Sequence, residues 1–493
     1  MSKFQTLLLI TVMALYGFIL ATPNDLTRID LGRHLSNGRE IINGNFNVLF
    51  KNHYSYTLPE KKFINHHWLS GLVFFLIVKT FNFQTLTIFH IFILLIALLF
   101  LFKTIKANSS TNLALILTLV AVLIVSHRYD IRPESFGYLF LGYSLWQFTI
   151  IKKNKKIRKK QFFLLSLQQL LWVNLHISFV FAIYLSLIFT FTALLSDKFH
   201  PTEKKKLVYL TVTLTLLSLI NPHTYQGLLT PFTIFNDYGY QVLENQDLLF
   251  LSKFFISPVM YLYLIFASLG LLFFIIDFKH SELDHKIINL SGILLGFMAL
   301  RNLPIFCFFT LPIMAISLSR ICQRLKKKIK IQNQKQNILV IISIIYLFIS
   351  ALVVSGKFSP LFSFKNRALA PAKEQFAAAE FFIKLNIKGK IFNNYDIGSY
   401  LIYTLYPDWQ VFTDNRPEAY GKIFFQEQYI PMQISEKKWQ ELMNQYDFQS
   451  IFFSHLDLTD WGQAFLKARN LDPEWQLTYQ DEYAVIFIKN LKK

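Results

Sequence analysis

Residues 66–80 read HHWLSGLVFFLIVKT, an apolar stretch that is too short to cross a bilayer comfortably. A transmembrane helix needs about 20 apolar residues, because the hydrocarbon core is about 30 Å thick and each residue advances a helix by about 1.5 Å. We therefore interpret 66–80 as a helix that lies along the membrane interface. This interpretation fixes which loops share one side of the membrane, so the predicted topology depends on it.

The composition is that of a membrane protein. Hydrophobic residues make up 53% of the 493 residues and charged residues only 16%, whereas soluble domains are about one quarter charged. This excludes an ordinary cytosolic enzyme, a disordered chain and a fibrous protein. The sequence predicts an all-α membrane bundle of about 11 transmembrane helices, at residues 4–22, 84–102, 111–127, 135–151, 161–176, 178–196, 207–221, 258–276, 287–301, 303–319 and 337–355.

The distribution of basic residues orients the predicted spans. With 66–80 outside the bilayer, one set of loops carries 23 Lys and Arg residues and the opposite set carries 11. Cytoplasmic loops are enriched in Lys and Arg, so the first set, which includes 152–160 and 320–335, is predicted to be cytoplasmic. Topology thus accounts for the net charge of +20, and no nucleic-acid partner is expected. We expect an integral protein of a bacterial inner (plasma) membrane.

Two domains are predicted. Residues 1–355 form the transmembrane domain, with a long first outer loop at 23–83 that contains the interfacial helix 66–80. Residues 356–493 form a small extracytoplasmic α/β domain with a mostly parallel sheet, because short apolar runs alternate with amphipathic stretches. Its predicted strands are 390–392, 410–414, 450–453, 475–479 and 483–489.

Chemically capable side chains recur at the predicted outer ends of the helices. Asp30 and His34 are four residues apart, which places them on one face of a helix, and Asp25 precedes that helix. A carboxylate at the membrane boundary can act as a general base or hold a divalent metal. Arg132 and Arg301 lie at outer helix ends, where a guanidinium group suits bidentate binding of phosphate.

These residue types together suit glycosyl transfer from a lipid phosphate. The carboxylate would deprotonate an acceptor hydroxyl, and arginine would stabilise the departing phosphate. Structural interpretations stay open for each group. Asp30 could cap a helix or pair with Arg33, and Asp25 could cap a helix. The histidines could only form hydrogen bonds, and the arginines could anchor the helix ends at the interface.

The order of short motifs along nearly the whole chain resembles the GT-C superfamily of polytopic glycosyltransferases, and in particular a bacterial branch of it. The motifs are Asp30/His34/Leu35, Tyr54 to Thr57, His66/Trp68/Leu69, Arg132/Pro133, Asn174/His176, Asn221/Pro222, Arg301/Asn302/Pro304 and Asp414/Arg416. The resemblance implies transfer at the outer face from a polyprenyl-phosphate sugar donor, with Asp30 as the catalytic carboxylate and Asp25 and His34 beside it. The residues it suggests for substrate binding are Arg132, Arg301, His66, His67, Tyr54, His176 and Asn221.

Several properties stay open at the level of sequence. His67 stands where that branch often has an acidic residue, and His66-His67 replaces the proline pair typical of protein mannosyltransferases. The donor sugar is therefore not identified, nor is the acceptor, which could be a glycan, a lipid or a protein. A lipid or polysaccharide transporter or flippase is an alternative, although no Asp, Glu, Lys or Arg lies in the middle of a predicted span and only His90, Gln168 and Gln169 interrupt the middle of the spans. A non-catalytic scaffold with a partner-binding outer domain is another.

Overall fold

The computed structural model describes residues 1–255, 257–329 and 367–490. Ten of the eleven predicted spans fall within these residues, and each of the ten coincides with a helix. The eleventh, 337–355, lies outside the described residues, as does the predicted domain boundary at 355/356.

The helices of the first part of the chain are joined mostly by short connections, apart from the long loop between Ile42 and Trp68. They are α1 (Lys3–Leu20), α2 (Leu31–Ile42), α3 (Trp68–Thr80), α4 (Phe83–Asn108), α5 (Thr111–Val125), α6 (Glu134–Asn154), α7 (Lys159–Leu175), α8 (Val180–Leu194), α9 (Pro201–Leu217), α10 (Tyr225–Thr233), α11 (Leu248–Ser252), α12 (Pro258–Asp277), α13 (Leu283–Met298) and α14 (Leu303–Ile329).

Among the residues that the structure describes, five helical segments are long and apolar enough to cross a membrane, namely Lys3–Leu20, Phe83–Asn108, Ile177–Leu194, Pro258–His280 and Leu300–Arg324. Large apolar side chains also point away from the bundle, and Leu7, Ile10, Phe92 and Ile275 are each about 60% exposed. A surface of this kind is stable against lipid and unstable against water. The predicted membrane-spanning helical bundle is confirmed in this form, and the number of 11 spans stays a prediction.

Helix α2 lies between α3 and a helix of the C-terminal region, α16 (Gly398–Leu405). The contact with α3 is made backbone to backbone, since a Cβ atom at Gly38 would lie 2.4 Å from the carbonyl oxygen of Gly71. On the other side, a Cβ atom at Gly32 would lie 2.6 Å from the carbonyl oxygen of Ser399. The amide of Arg33 donates a hydrogen bond to Ser399 Oγ at 2.9 Å. Glycine at these positions therefore sets the distance of α2 from both neighbours.

The C-terminal region contains a four-stranded sheet, formed by β1 (Lys390–Asn393), β2 (Phe448–Phe453), β3 (Trp475–Gln480) and β4 (Val485–Lys489) in the order β1-β2-β4-β3. Its helices are α15 (Ala377–Leu385), α16, α17 (Pro417–Tyr420), α18 (Pro431–Ile434), α19 (Glu436–Tyr446) and α20 (Asp460–Leu471). The predicted combination of strands and helices is thus present.

Two details of the predicted sheet are wrong. β1 and β2 are parallel, but β4 is antiparallel to both β2 and β3, so the sheet is mixed rather than mostly parallel. The reason is a tight turn between β3 and β4, in which Asp481 Oδ1 accepts hydrogen bonds from the amides of Tyr483 and Ala484. Residues 410–414 do not form a strand, and Val411 makes an isolated bridge with Ser55 instead.

The C-terminal region is joined to the first outer loop by a buried polar connection. Arg416 pairs with Asp414, donates a hydrogen bond to Asn52 Oδ1 at 2.7 Å, and is only 2% exposed. An apolar cluster continues the connection, because Leu31 and Phe74 of the first part share it with Tyr400 and Phe452 of the C-terminal region. The two predicted domains therefore share one core.

The packing of α2 on α3 predicts the effect of a single methyl group. We expect Gly38→Ala to lower the free energy of unfolding by about 1–3 kcal/mol, because the added carbon overpacks a rigid backbone contact. Gly17→Ala is the matched control, since its Cβ would meet no atom closer than 3.7 Å. Thermal unfolding of the purified protein in detergent measures both, and equal midpoints would contradict the packing argument.

Candidate active site

A cavity of about 500 Å³ lies where the helix ends of the bundle meet the C-terminal region. Its wall combines residues from the starts of α2, α6 and α8, from the link between α10 and α11, and from the turn that precedes α17. The charged and polar residues that line it include Asp30, Arg33, His66, His67, Arg132, Glu134, His176, Glu244, Asn245, Arg301, Asn415 and Glu418. Six of the ten candidate residues from the sequence are therefore brought together here.

Asp30 stands at the N-terminus of α2 and is 22% exposed toward the cavity. Its Oδ2 atom accepts from His34 Nε2 at 3.1 Å and lies 3.4 Å from a terminal nitrogen of Arg33. Among the described residues, its Oδ1 atom has no hydrogen-bond partner. Burial raises the pKa of Asp30, but His34, Arg132 and Arg33 outweigh this and hold the pKa well below its ordinary value. Asp30 is therefore an ionised carboxylate with one buried oxygen that has no hydrogen-bond partner among the described residues.

His34 lies behind Asp30, fully buried, and does not line the cavity. Burial and the charge of Arg33 lower the pKa of His34 below its ordinary value, so the imidazole is neutral at neutral pH. Its Nε2–H then donates to Asp30. The four-residue spacing thus produces a histidine that orients the carboxylate.

The two candidate arginines both line the cavity and are both already hydrogen-bonded. Arg132 meets both carboxylate oxygens of Glu244 at 3.0 Å, and Glu244 also accepts from Arg128 at 2.6 Å. Arg301 donates to Asn245 Oδ1 at 2.8 Å. Glu244 and Asn245, two consecutive residues of the link between α10 and α11, therefore accept the hydrogen bonds of these two arginines.

The three histidines of the cavity form a cluster. The rings of His66 and His67 are 3.8 Å apart between centroids, and His67 stacks on His176 at 5.1 Å. Burial lowers the pKa of His66 to about 3 and lowers the pKa values of His67 and His176 well below their ordinary range. These rings are neutral hydrogen-bonding groups at neutral pH.

The other three candidates lie outside the cavity. Asp25 accepts hydrogen bonds from the amide and hydroxyl of Thr27, which closes a turn. Tyr54 is buried and donates to Asn37 Oδ1 at 2.9 Å. Asn221 donates to two carbonyl oxygens of its own loop. Substrate binding by Tyr54 and Asn221, and a catalytic role of Asp25, stay predictions.

Sequence reasoning missed several acidic and amide residues of the cavity, among them Glu244, Asn415 and Glu418. Asn415 and Glu418 stand within DNRPE, in the same turn as the Asp414/Arg416 motif. The motif therefore identified a turn of the cavity, but Asn415 and Glu418 line the cavity instead of Asp414 and Arg416. Burial raises the pKa of Glu418 above its ordinary value, whereas Asp30 stays ionised. The two carboxyl groups thus differ in chemical character within one cavity.

The donor set around Asp30 does not fit a divalent metal. Arg33, Arg132 and His34 are the groups nearest its charge. In the described part of the chain, the group of three donors that could hold a metal is Glu282, Asp284 and His285. The ammonium group of Lys152 lies among these donors, 2.6, 2.5 and 3.0 Å from their atoms. The guanidinium groups of Arg33 and Arg132 would repel a divalent cation at Asp30.

The loops predicted to be cytoplasmic converge elsewhere. Lys152, Lys155, Lys198, Glu282 and Asp284 line a second cavity of about 280 Å³. None of these residues lines the cavity that contains Asp30. The two predicted sets of loops are thus segregated in the fold.

No protein family and no curated relative matches this sequence. Solved structures of an archaeal oligosaccharyltransferase from Archaeoglobus fulgidus are similar in fold. The complex with an inhibitory peptide and a dolichol-phosphate is 10% identical, with a TM-score of 0.62 over 92% of this chain and 70% of that chain. The apo form gives 10% and 0.60 over the same shares. The form tethered to an acceptor peptide gives 11% and 0.63, over 99% and 74%.

Identities this low establish the fold alone. The likeness extends over most of this chain, including the C-terminal region. The fold is thus similar to that of a solved oligosaccharyltransferase, in agreement with the resemblance that the motifs indicated.

The buried histidines predict how stability depends on pH. An imidazole in the unfolded chain takes up its proton near pH 6.5, while folded His66 does so only near pH 3. The unfolded state therefore gains protons first as the pH falls, and stability present above about pH 6.5 is lost below it. We expect His66 to contribute about 2 kcal/mol to the loss of stability between about pH 7 and pH 5.

This contribution is measured by comparing variants at the two pH values. In His66→Asn the midpoint of thermal unfolding should fall less between pH 7 and pH 5 than in the wild type. The control His200→Asn changes an exposed histidine at the start of α9 and should retain the wild-type difference. Identical pH dependence in all three proteins would refute the assignment.

Proposed function

We propose that this protein is a GT-C-type glycosyltransferase that moves a sugar from a polyprenyl-phosphate donor to an acceptor at the outer face of a bacterial inner membrane. The observation that carries the proposal is that one ionised carboxylate, Asp30, and two arginines, Arg132 and Arg301, line the same cavity. A displacement at a glycosyl phosphate needs both kinds of group, a proton acceptor for the incoming hydroxyl and cations for the departing phosphate.

The donor side of the cavity suits an amphiphile. The arginines stand at one end, and Leu141, Phe181 and Leu295 of the bundle provide an apolar wall. Next to this wall, Phe232 and Phe235 are 68% and 55% exposed. An isoprenyl chain would bury its length against such surfaces while its phosphate stays with the guanidinium groups.

The reaction has a definite order of bonds. The anomeric carbon loses its bond to the phosphate oxygen and gains a bond to the acceptor oxygen, whose proton passes to Asp30. A carboxylate with a lowered pKa is a weak base. It accepts the proton readily only after the new bond has made that hydroxyl acidic. This agrees with an oxocarbenium-like transition state in which departure of the phosphate leads.

The fold comparison supports the class of donor in general terms. The solved structure that is similar in fold carries a dolichol-phosphate and a peptide, both of which suit a lipid-linked donor and a separate acceptor. The donor sugar and the acceptor of this protein stay open. A transporter is less well supported, because the charged groups collect at the helix ends rather than along the middle of the bundle.

The proposed role of Asp30 predicts a large effect of a small change. Asp30→Asn should lower the transfer rate by about 10²- to 10⁴-fold, the usual contribution of a general base. Asp408→Asn is the matched control, because Asp408 is exposed and lies outside the cavity. The readout is mass analysis of envelope glycans and lipids in a deletion strain that carries each variant. Restoration of the missing product by Asp30→Asn at wild-type expression would remove Asp30 from this role.

The proposed sidedness predicts a labelling pattern. Leu458 in the C-terminal region is 85% exposed, and native Cys322 is exposed next to a loop proposed to be cytoplasmic. A membrane-impermeant maleimide should label Leu458→Cys in intact cells, where it should leave Cys322 unlabelled until the cells are broken. The reverse pattern would place the cavity on the cytoplasmic side and overturn this part of the proposal.

A further inference from the structure

The link from residue 237 to residue 245 connects the C-terminal region to the bundle across the cavity. At one end, Asp237 accepts a hydrogen bond from the amide of Lys422, and Tyr240 stacks on Tyr395 with ring centroids 4.1 Å apart. At the other end, Glu244 and Asn245 reach the arginines of the helix ends. The link therefore has one anchor on each side of the cavity.

The anchor on the bundle, called here the bundle anchor, consists of the contacts of Glu244 and Asn245 with arginines. These arginines are the groups that a phosphate would need. Glu244 holds Arg128 and Arg132 with both carboxylate oxygens, and Asn245 occupies Arg301. All three guanidinium groups are thus hydrogen-bonded by two neighbouring residues. A carboxylate presents two oxygens to a guanidinium group in the same way as two oxygens of a phosphate do.

Glu244 and a bound phosphate exclude each other. The side chains of Arg128, Arg132 and Glu244 are 8%, 22% and 23% exposed, so water screens their charges only in part. Arg128 and Arg132 already pair with Glu134, Asp130 and Glu244, so an added phosphate would be an uncompensated anion that repels these carboxylates. A phosphate that reaches Arg132 must therefore separate Glu244 from it, which leaves the bundle anchor of the link open.

We propose that Glu244 is the resident anion of a phosphate site formed by Arg128, Arg132 and Arg301, and that an isoprenyl phosphate binds by displacing it. Residues 241–245 then leave the helix ends, while the Tyr240 anchor stays on the C-terminal region. The inference rests on the proposed function for the identity of the ligand. It adds that Glu244 competes with the isoprenyl phosphate for the arginines. This competition lowers the affinity of the resting site for the phosphate.

The test uses farnesyl phosphate as the probe and the purified full-length protein in detergent. Glu244→Gln should bind farnesyl phosphate about tenfold more tightly than the wild type, a coupling of ordinary size. Asp247→Asn is the matched control, because it makes the same change of charge two residues beyond the link and outside the cavity. Its carboxylate caps α11 through the amide of Phe250, and its affinity should equal that of the wild type. Uncharged farnesol should not distinguish the three proteins.

A second measurement needs no variant. Hydrogen exchange of the amides of residues 241–245 in the wild-type protein should become faster when farnesyl phosphate binds, because the bundle anchor opens. Binding to the wild type without faster exchange, or with equal or weaker affinity in Glu244→Gln, overturns the displacement while the proposed function stands. Failure of both proteins to bind farnesyl phosphate overturns the phosphate site together with the proposed donor.

Discussion

The backbone contact of α2 with its two neighbours determines where Asp30 lies. Gly38 brings α2 against α3, and Gly32 brings it against α16 of the C-terminal region. Asp30 is the residue before the first turn of α2, so any shift of that helix moves its carboxylate relative to the arginines. The cavity thus depends on the packing of α2 between α3 and α16. Both neighbours lie so close to the backbone of α2 that this helix can shift very little.

Charge compensation is the second constraint on this site. Asp30 is paired with Arg33 and His34, Glu134 with Arg128, and Glu244 with the arginines at the far wall. A partly buried site of this density is stable only when cations and anions are matched. The same matching lets the site exchange one anion for another, since an incoming anion that replaces Glu244 leaves the balance of charge unchanged.

Features that depend on local composition or spacing could be predicted from the sequence. The apolar runs predicted the helices because burial in lipid selects composition directly, and the spacing of Asp30 and His34 predicted their contact. Features that depend on contacts between residues far apart in the sequence could not be predicted. QVFTD at 410–414 has the alternation of a strand, but its neighbour in the fold is the loop at Ser55. Glu244 lies in a link without a motif, and it pairs with Arg132, which is 112 positions away in the sequence, only in the folded protein.

The core shared by the two ends of the chain has a consequence for biosynthesis. Leu31 and Leu35 emerge from the ribosome early, whereas Tyr400, Phe452 and Ile486, which complete their apolar surroundings, are made last. The segment that contains Asp30 therefore stays incompletely packed until the C-terminal region has been synthesised and lies on the same side of the bilayer. Chains that terminate before these residues lack this apolar surface. The cavity therefore assembles only after the C-terminal region has been translated.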